Sequence, residues 1–259
     1  MQQNVQKSSS TIRPRRSARR SVSPPVLSQP PRPTSSGARM RDTWRGYPGP
    51  TLTAMTISAH SLPAALDEFD RIAVDIGCGD GKYALRLAQR DPRRLVIGID
   101  AETTRLDRTL VAARKQRLAN LRFLTWSMDA PLSTLASSID EIHVVMPWGS
   151  LLDGVLGGND AVLAHVLDLG RPGASFTAVV NCRPWDAPAS VDTKLASTPV
   201  PSQETLHELP GLYEKHGWHL SEPRWLDERE ARAIGSSWVS RVISARRAML
   251  LQLAAVRAT

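Results

Sequence analysis

Arg71-Ile72-Ala73-Val74-Asp75-Ile76-Gly77-Cys78-Gly79-Asp80-Gly81-Lys82 is the stretch that decides the fold. An apolar run interrupted only by Asp75 ends in a turn carrying three glycines, and a helical pattern follows at once, from about residue 82 to 89. Strand, glycine turn and helix in that order open a parallel α/β sheet that binds ligands at the carboxyl edge of its strands. Glycine permits both the tight turn and a close approach of backbone to ligand. Outward from this unit the alternation continues, with strands predicted at 95–100, 121–125, 141–146 and 175–181 and helices at 102–118 and 159–169. Residues 183–203, with prolines at 184, 188, 199 and 201, read as a long loop of the kind that usually carries function. A helix near 204–216, a strand near 219–226, a short helix and a strand near 248–256 complete a seven-stranded, mostly parallel sheet with helices on both faces.

A chain of 259 residues with 41% hydrophobic content can bury one substantial core. No apolar run is long enough to cross a bilayer, and the basic N-terminus lacks the apolar segment of a secretory signal, so a soluble cytoplasmic protein is expected. Cys78 and Cys182 are the only two cysteines, too few for a disulfide framework or a structural zinc site. In the strand order expected for such a sheet they lie roughly 9 to 10 Å apart, beyond bridging distance, and no metal is expected. The net charge of +8 is unevenly placed. Residues 1–41 hold nine basic and no acidic groups, so the remainder is close to neutral, at −1. Residues 1–55, rich in Ser, Pro, Arg and Gln, read as a disordered extension, and 56–259 as the folded domain. That extension suits a nonspecific RNA-binding arm, a transit peptide or an upstream start ahead of Met40 or Met55; a dispensable segment is the simplest reading, and its prolines weaken the transit-peptide helix.

The spacing of the glycine turn selects the cofactor class. Dinucleotide enzymes require GxGxxG with pyrophosphate on the helix N-terminus, whereas here the third glycine comes one residue early and Asp75 and Asp80 flank the loop. Carboxylates in those places repel a pyrophosphate but suit the sulfonium and amino group of S-adenosylmethionine. Asp100, at the end of the next strand, is placed to accept from both ribose hydroxyls, with Ala101 beside it. Ser127-Met128-Asp129 after the third strand can reach the adenine edge of the cofactor. The sequence therefore reads as a class I, Rossmann-like methyltransferase.

The acceptor side is carried by two tryptophan motifs. Met146-Pro147-Trp148-Gly149-Ser150-Leu151-Leu152 follows the fourth strand, and Gly235-Ser236-Ser237-Trp238-Val239-Ser240-Arg241 precedes the last. Together with the glycine loop and Arg171-Pro172-Gly173-Ala174-Ser175-Phe176, they resemble the kanamycin-apramycin resistance methyltransferases over about residues 71–256. That resemblance implies methylation of N1 of one adenine in the decoding site, helix 44, of 16S rRNA within the 30S subunit. It implies that Trp148 and Trp238 sandwich the flipped-out base, with Pro147 beside it. Val145, Met146, Gly149, Ser150, Ser236 and Ser237 would help line the pocket, and Tyr83 would stand near the methionine end. A monomer meeting RNA, with neither DNA nor membrane involved, is the expectation that follows.

Docking on RNA needs cations, and two clusters supply them. Arg105, Arg108, Arg114 and Lys115 crowd one predicted helix, while Arg241, Arg246 and Arg247 follow Trp238. Arg241 falls one helical turn beyond Trp238, within reach of RNA beside the target base. His143 sits mid-strand and reads as a buried, satisfied histidine rather than a base. Two departures from the family stand out: the arginine-rich tail has no counterpart, and residues 51–69 contain Pro63 and only a weak alternation where the family has a short hairpin. The rival readings are a tRNA guanine N7-methyltransferase, which carries a charged, proline-rich stretch after the fourth strand, and a noncatalytic RNA-binding or ribosome assembly factor of the same fold.

Overall fold

In the computed structural model, residues 55–62, 66–182, 201–246 and 248–259 are described. The N-terminal extension up to residue 54, most of the 183–203 loop, and Arg247 lie outside them. Nine strands among the described residues form one sheet: β1 (Thr56–Ile57), β2 (Arg71–Ile76), β3 (Arg94–Asp100), β4 (Leu121–Thr125), β5 (Ile139–Val145), β6 (Gly170–Asn181), β7 (Trp218–Leu220), β8 (Arg224–Trp225) and β9 (Leu250–Arg257). Their order is β1-β4-β3-β2-β5-β6-β9-β7, with β8 also paired to β9. The pairs from β1 through β6 are parallel, and β9 runs antiparallel to its neighbours. From β2 the chain winds one way through β3 and β4; from β5 it winds the other way through β6. The carboxyl ends of β2 and β5 therefore flank the switch point, where the connections diverge and leave a crevice. β5 also separates β2 from β6, so Cys78 and Cys182 sit beyond strands that are not neighbours, and both are free thiols.

Both sheet faces are covered because the strands, buried on either side, are apolar at nearly every position. On one face Val74, Ile76, Val144 and Phe176 pack with α3 (Gly149–Val155), α4 (Asp160–Leu167) and α5 (Gln203–Lys215). On the other, Ala73, Val96 and Phe123 pack with α1 (Lys82–Arg90) and α2 (Asp107–Lys115). That face continues past Val145 and Val179 under α6 (Glu228–Ile234) and α7 (Ser237–Ser244).

The seven expected strands become nine for identifiable reasons. The segment expected as one strand over 219–226 divides into β7 and β8, since Pro223 between them has no N–H to offer β9. Ser221 still donates to the Ala254 carbonyl at 2.8 Å, so the chain stays alongside β9 through the break. β1 is only two residues long and pairs parallel with β4 as an edge; its pattern was too short to read. The helix expected over 102–118 shortens to α2 at both ends. Asp100 accepts from the Glu102 N–H, and Glu102 accepts from the Thr104 hydroxyl, local bonds that compete with helix. At the far end Arg117 adopts a φ of 54°, which stops the helix. Two short helices, not one, precede β9, divided by Gly235 at a φ of 78°.

Phe123 of β4 connects this packing to the glycine turn. Its ring is fully buried beneath Gly98 of β3 and against Gly81, where an added Cβ would come within 2.6 and 2.8 Å of it respectively. Gly98→Ala is therefore expected to force Phe123 toward the turn and to destabilise the domain by about 1–3 kcal/mol. A urea unfolding midpoint indistinguishable from that of the parent would refute this packing.

Candidate active site

The turn after β2 is assembled by the backbone first. The N–H groups of Gly77 and Cys78 both donate to the Ile99 carbonyl, at 2.8 and 3.0 Å, and the Gly81 N–H returns to the Cys78 carbonyl at 2.9 Å. Gly77, Gly79 and Gly81 take φ values of 73°, 57° and 71°, which explains why glycine stands at each. Asp100, the last residue of β3, accepts from the Gly79 N–H at 2.7 Å through Oδ2 and from Glu102 through Oδ1. It thus braces the loop, and each oxygen retains a lone pair for a ribose hydroxyl. Ala101 follows, exposed.

Asp75 ends up buried behind this loop, with its Oδ2 lacking any partner. Burial raises its pKa to about 8; the Ala84 N–H opposes that rise, and the nearby Asp100 and Asp80 charges add to it. A buried acid with an empty acceptor is costly unless a donor arrives, and a cation is the ligand that relieves it most. Asp80 has the opposite environment. Burial would raise its pKa, but hydrogen bonds from Lys82 and Ser237 prevail and hold it below the usual carboxylate range. Of the three acids expected at successive strand ends, Asp75 and Asp100 meet at the glycine turn together with Asp80, whereas Asp129 stands apart on the loop after β4. Asp129, exposed beyond β4, is likewise held low by hydrogen bonds from Ser127 and Ser150. This joins the loop after β4 to the loop after β5, a link the sequence offered no sign of. Met128 beside it is buried, and its carbonyl lies 2.9 Å from Nδ1 of His165.

At the end of β5, Val145 and Met146 are buried, and Met146 adopts a φ of 58° while its N–H donates to the Val179 carbonyl at 2.8 Å. The chain then turns sharply through buried Pro147 and half-buried Trp148 into Gly149 and Ser150, the first residues of α3. A non-glycine residue in the left-handed region marks a turn that surrounding contacts must hold in place. Ser236, buried, precedes α7, and Trp238 projects from its first turn. The two indoles meet with ring centroids 5.7 Å apart at 65°. This differs from the expected sandwich. A base between two rings needs parallel faces about 7 Å apart, two contacts of ~3.5 Å, so the pair is closed edge to face and must turn to admit one. Arg241, one helical turn beyond Trp238 as expected, places its guanidinium 4.6 Å from the Trp238 ring centroid in a cation–π contact.

Tyr83 on α1 reaches towards β5. Its hydroxyl lies 3.2 Å from Nδ1 of His143, whose Nε2 is 3.5 Å from Glu141. Hydrogen bonding to His143, with Arg94 and Arg71 close by, lowers the Glu141 pKa to about 2 against the effect of burial. His143 differs from the buried, satisfied histidine expected: it is partly buried and linked to Tyr83 through Nδ1, while its Nε2, near Glu141, lacks a hydrogen bond of normal geometry. Arg105, Arg108, Arg114 and Lys115 are exposed on and just ahead of α2, and Arg246 is exposed after α7.

Residues 52–257 match the family described as NpmA, 16S rRNA (adenine(1408)-N(1))-methyltransferase. The chain belongs to this family. A 16S rRNA (adenine(1408)-N(1))-methyltransferase of Streptoalloteichus hindustanus is 35% identical over 184 residues, covering 69% of this chain and 83% of the relative. Among solved structures, the 16S rRNA methyltransferase KamB is 32% identical with a TM-score of 0.65, covering 77% of this chain and 94% of KamB. A variant of the Catenulisporales acidiphilia 16S rRNA (adenine(1408)-N(1))-methyltransferase, solved with its cosubstrate SAM, is 27% identical with a TM-score of 0.67. The alignment covers 78% of this chain and 92% of that one.

The elevated Asp75 pKa has a measurable consequence. At pH 6.5 the free protein holds Asp75 protonated, and S-adenosylmethionine brings a protonated amino group, so binding should displace nearly one proton as the carboxylate forms. Calorimetric binding enthalpies in buffers of differing ionisation enthalpy should show that release, and Asp75→Asn should abolish it while weakening binding. An enthalpy independent of buffer in the parent protein would contradict this role.

Proposed function

We propose that this chain transfers the methyl group of S-adenosylmethionine to N1 of adenine 1408 of 16S rRNA, acting as a monomer on the assembled 30S subunit in the cytoplasm. The observation that carries the reading is the meeting of Trp148, on the turn after β5, and Trp238, in the first turn of α7, beside the acid-lined glycine turn. The cofactor supplies an electrophilic methyl group on a good leaving group. Asp75 would hold its amino group, Asp100 its ribose, and Ser127, Met128 and Asp129 its adenine edge. The loop from Val145 to Ser150 would border the methyl group. Among the described residues, no helix is long and apolar enough to cross a membrane.

The chemistry asks little of a base. Adenine N1 is an unprotonated lone pair at neutral pH, so in-line alignment at close range supplies much of the acceleration. Flipping exposes N1, and the two indoles replace the stacking lost from the RNA. The Pro147 carbonyl would accept from the N6 amino group and so discriminate adenine from guanine, which presents a carbonyl there. The exposed arginines on and beside α2, with Arg241 of α7 and Arg246 after it, would grip phosphates and set the register. The folded domain would then be residues 56–259, with the basic extension adding nonspecific attraction. A methyl group and positive charge on N1 would disturb aminoglycoside contacts at the decoding site, giving resistance to kanamycin and apramycin. The apolar Pro147-Trp148-Gly149-Ser150-Leu151-Leu152 loop disfavours the tRNA guanine N7 alternative.

Purified protein incubated with 30S subunits and labelled S-adenosylmethionine should incorporate methyl groups and create a reverse-transcription stop at adenine 1408. Trp148→Ala and Trp238→Ala should each lower the rate about 5- to 150-fold, the loss of 1–3 kcal/mol of base stacking. Cofactor affinity should fall much less for Trp238→Ala. Equal losses of cofactor binding in both variants would make the tryptophans core residues instead.

A further inference from the structure

The glycine turn and the helix bearing Trp238 are far apart in sequence, yet they are joined at one point. The Ser237 hydroxyl donates to Oδ2 of Asp80 at 2.9 Å, across 157 residues. The same oxygen takes the Lys82 ammonium at 3.0 Å, and the second carboxylate oxygen accepts from the Lys82 N–H at 3.3 Å. Asp80 thus stands between the turn and the first residue of α7. The cap position of α7, Ser236, makes no capping bond with its own side chain, so the negative charge that steadies this helix N-terminus comes from the glycine loop.

Two further contacts fix the same junction. An added Cβ at Gly79 would lie 3.7 Å from Nε1 of Trp238, so the indole edge rests over the turn. Arg86 of α1 packs directly against Gly235, where the left-handed residue ends α6 and aims α7. α7 is only eight residues long and buries Val239, Val242 and Ile243 on one side, so a small rotation about that buried stripe swings Trp238 and the Arg241 stacked on it.

We propose that Ser237, through Asp80, is a positioning residue that couples cofactor occupancy of the glycine turn to the orientation of Trp238 toward the target adenine. Resting on the function proposed above, this assigns Ser237 a role other than contact with the cofactor. The loop residue between Gly79 and Gly81 moves only if the turn moves, so a turn tightened around the cofactor sets the helix start and thereby the ring. The coupling is an equilibrium quantity: the cofactor should tighten 30S binding, and 30S should tighten cofactor binding by the same factor.

The test measures the dissociation constant for 30S with and without S-adenosylhomocysteine, alongside kcat and KM for methylation, in the parent, Ser237→Ala, Ser237→Cys and Ser237→Thr. A hydrogen bond to a charged acceptor typically contributes enough for a loss of about tenfold or more in kcat/KM for 30S in Ser237→Ala. Its cofactor affinity in the absence of RNA should stay within about twofold of the parent, and the factor by which S-adenosylhomocysteine tightens 30S binding should fall to one. Ser237→Cys, close in volume but a weak donor, should follow Ser237→Ala, and Ser237→Thr should restore the coupling. A parent-like coupling factor in Ser237→Ala or Ser237→Cys would overturn the proposal, as would a loss of cofactor affinity matching the loss of rate. Methylation by the parent protein is the control that keeps failure of the proposed function distinct from failure of this coupling.

Discussion

Three carboxylates crowd one turn, and one of them is buried with an oxygen that nothing donates to. Burial and the neighbouring charges of Asp100 and Asp80 hold the Asp75 proton to about pH 8, so its carboxylate form is unfavourable unless a cationic donor meets it. Much of the surrounding architecture serves that arrangement. Paired parallel strands bring the ends of β2 and β3 together, Ile99 accepts the first two N–H groups of the turn, Asp100 braces Gly79, and Phe123 fills the space under Gly81 and Gly98. A buried acid with a strongly raised pKa is the pattern typical of functional sites.

Charge is divided by task across the chain. The folded residues are close to neutral in sum, and many of their exposed cations lie on and beside α1, α2, α6 and α7, the helices of one sheet face. Acidic groups line the cofactor side, where they suit a sulfonium, and aromatic and basic groups gather where an RNA base and its phosphates would lie.

Local rules made some of this legible from residues alone. The apolar runs, the glycine turn and the acids at successive strand ends each obey local rules of conformation or charge, and they pointed to the sheet and the cofactor class, while the family rested on the tryptophan motifs. The tryptophan motifs were readable for the same reason, as compact runs ahead of and behind recognisable strands. What escaped depended on partners distant in sequence or on very short elements. β1 has two residues, too few for a period, and the split between β7 and β8 required knowing that Pro223 would face β9. The contacts of Asp80 with Ser237 and of Asp129 with Ser150 have no sequence signature, because side-chain hydrogen bonds between separate loops leave no spacing rule. The closed indole pair was equally hidden: two motifs announce that tryptophans will meet but say nothing of the angle between their rings.

The central claim is that the chain recognises one adenine by its Watson–Crick edge and methylates it there. The most direct measurement is labelled methyl incorporation into two 30S preparations that differ only at position 1408 of 16S rRNA, one carrying adenine and the other guanine. Stoichiometric methylation of the adenine subunits, with none above background in the guanine subunits, is the expected result. Equal incorporation into both would contradict the account, because the methyl group would then be going to another site.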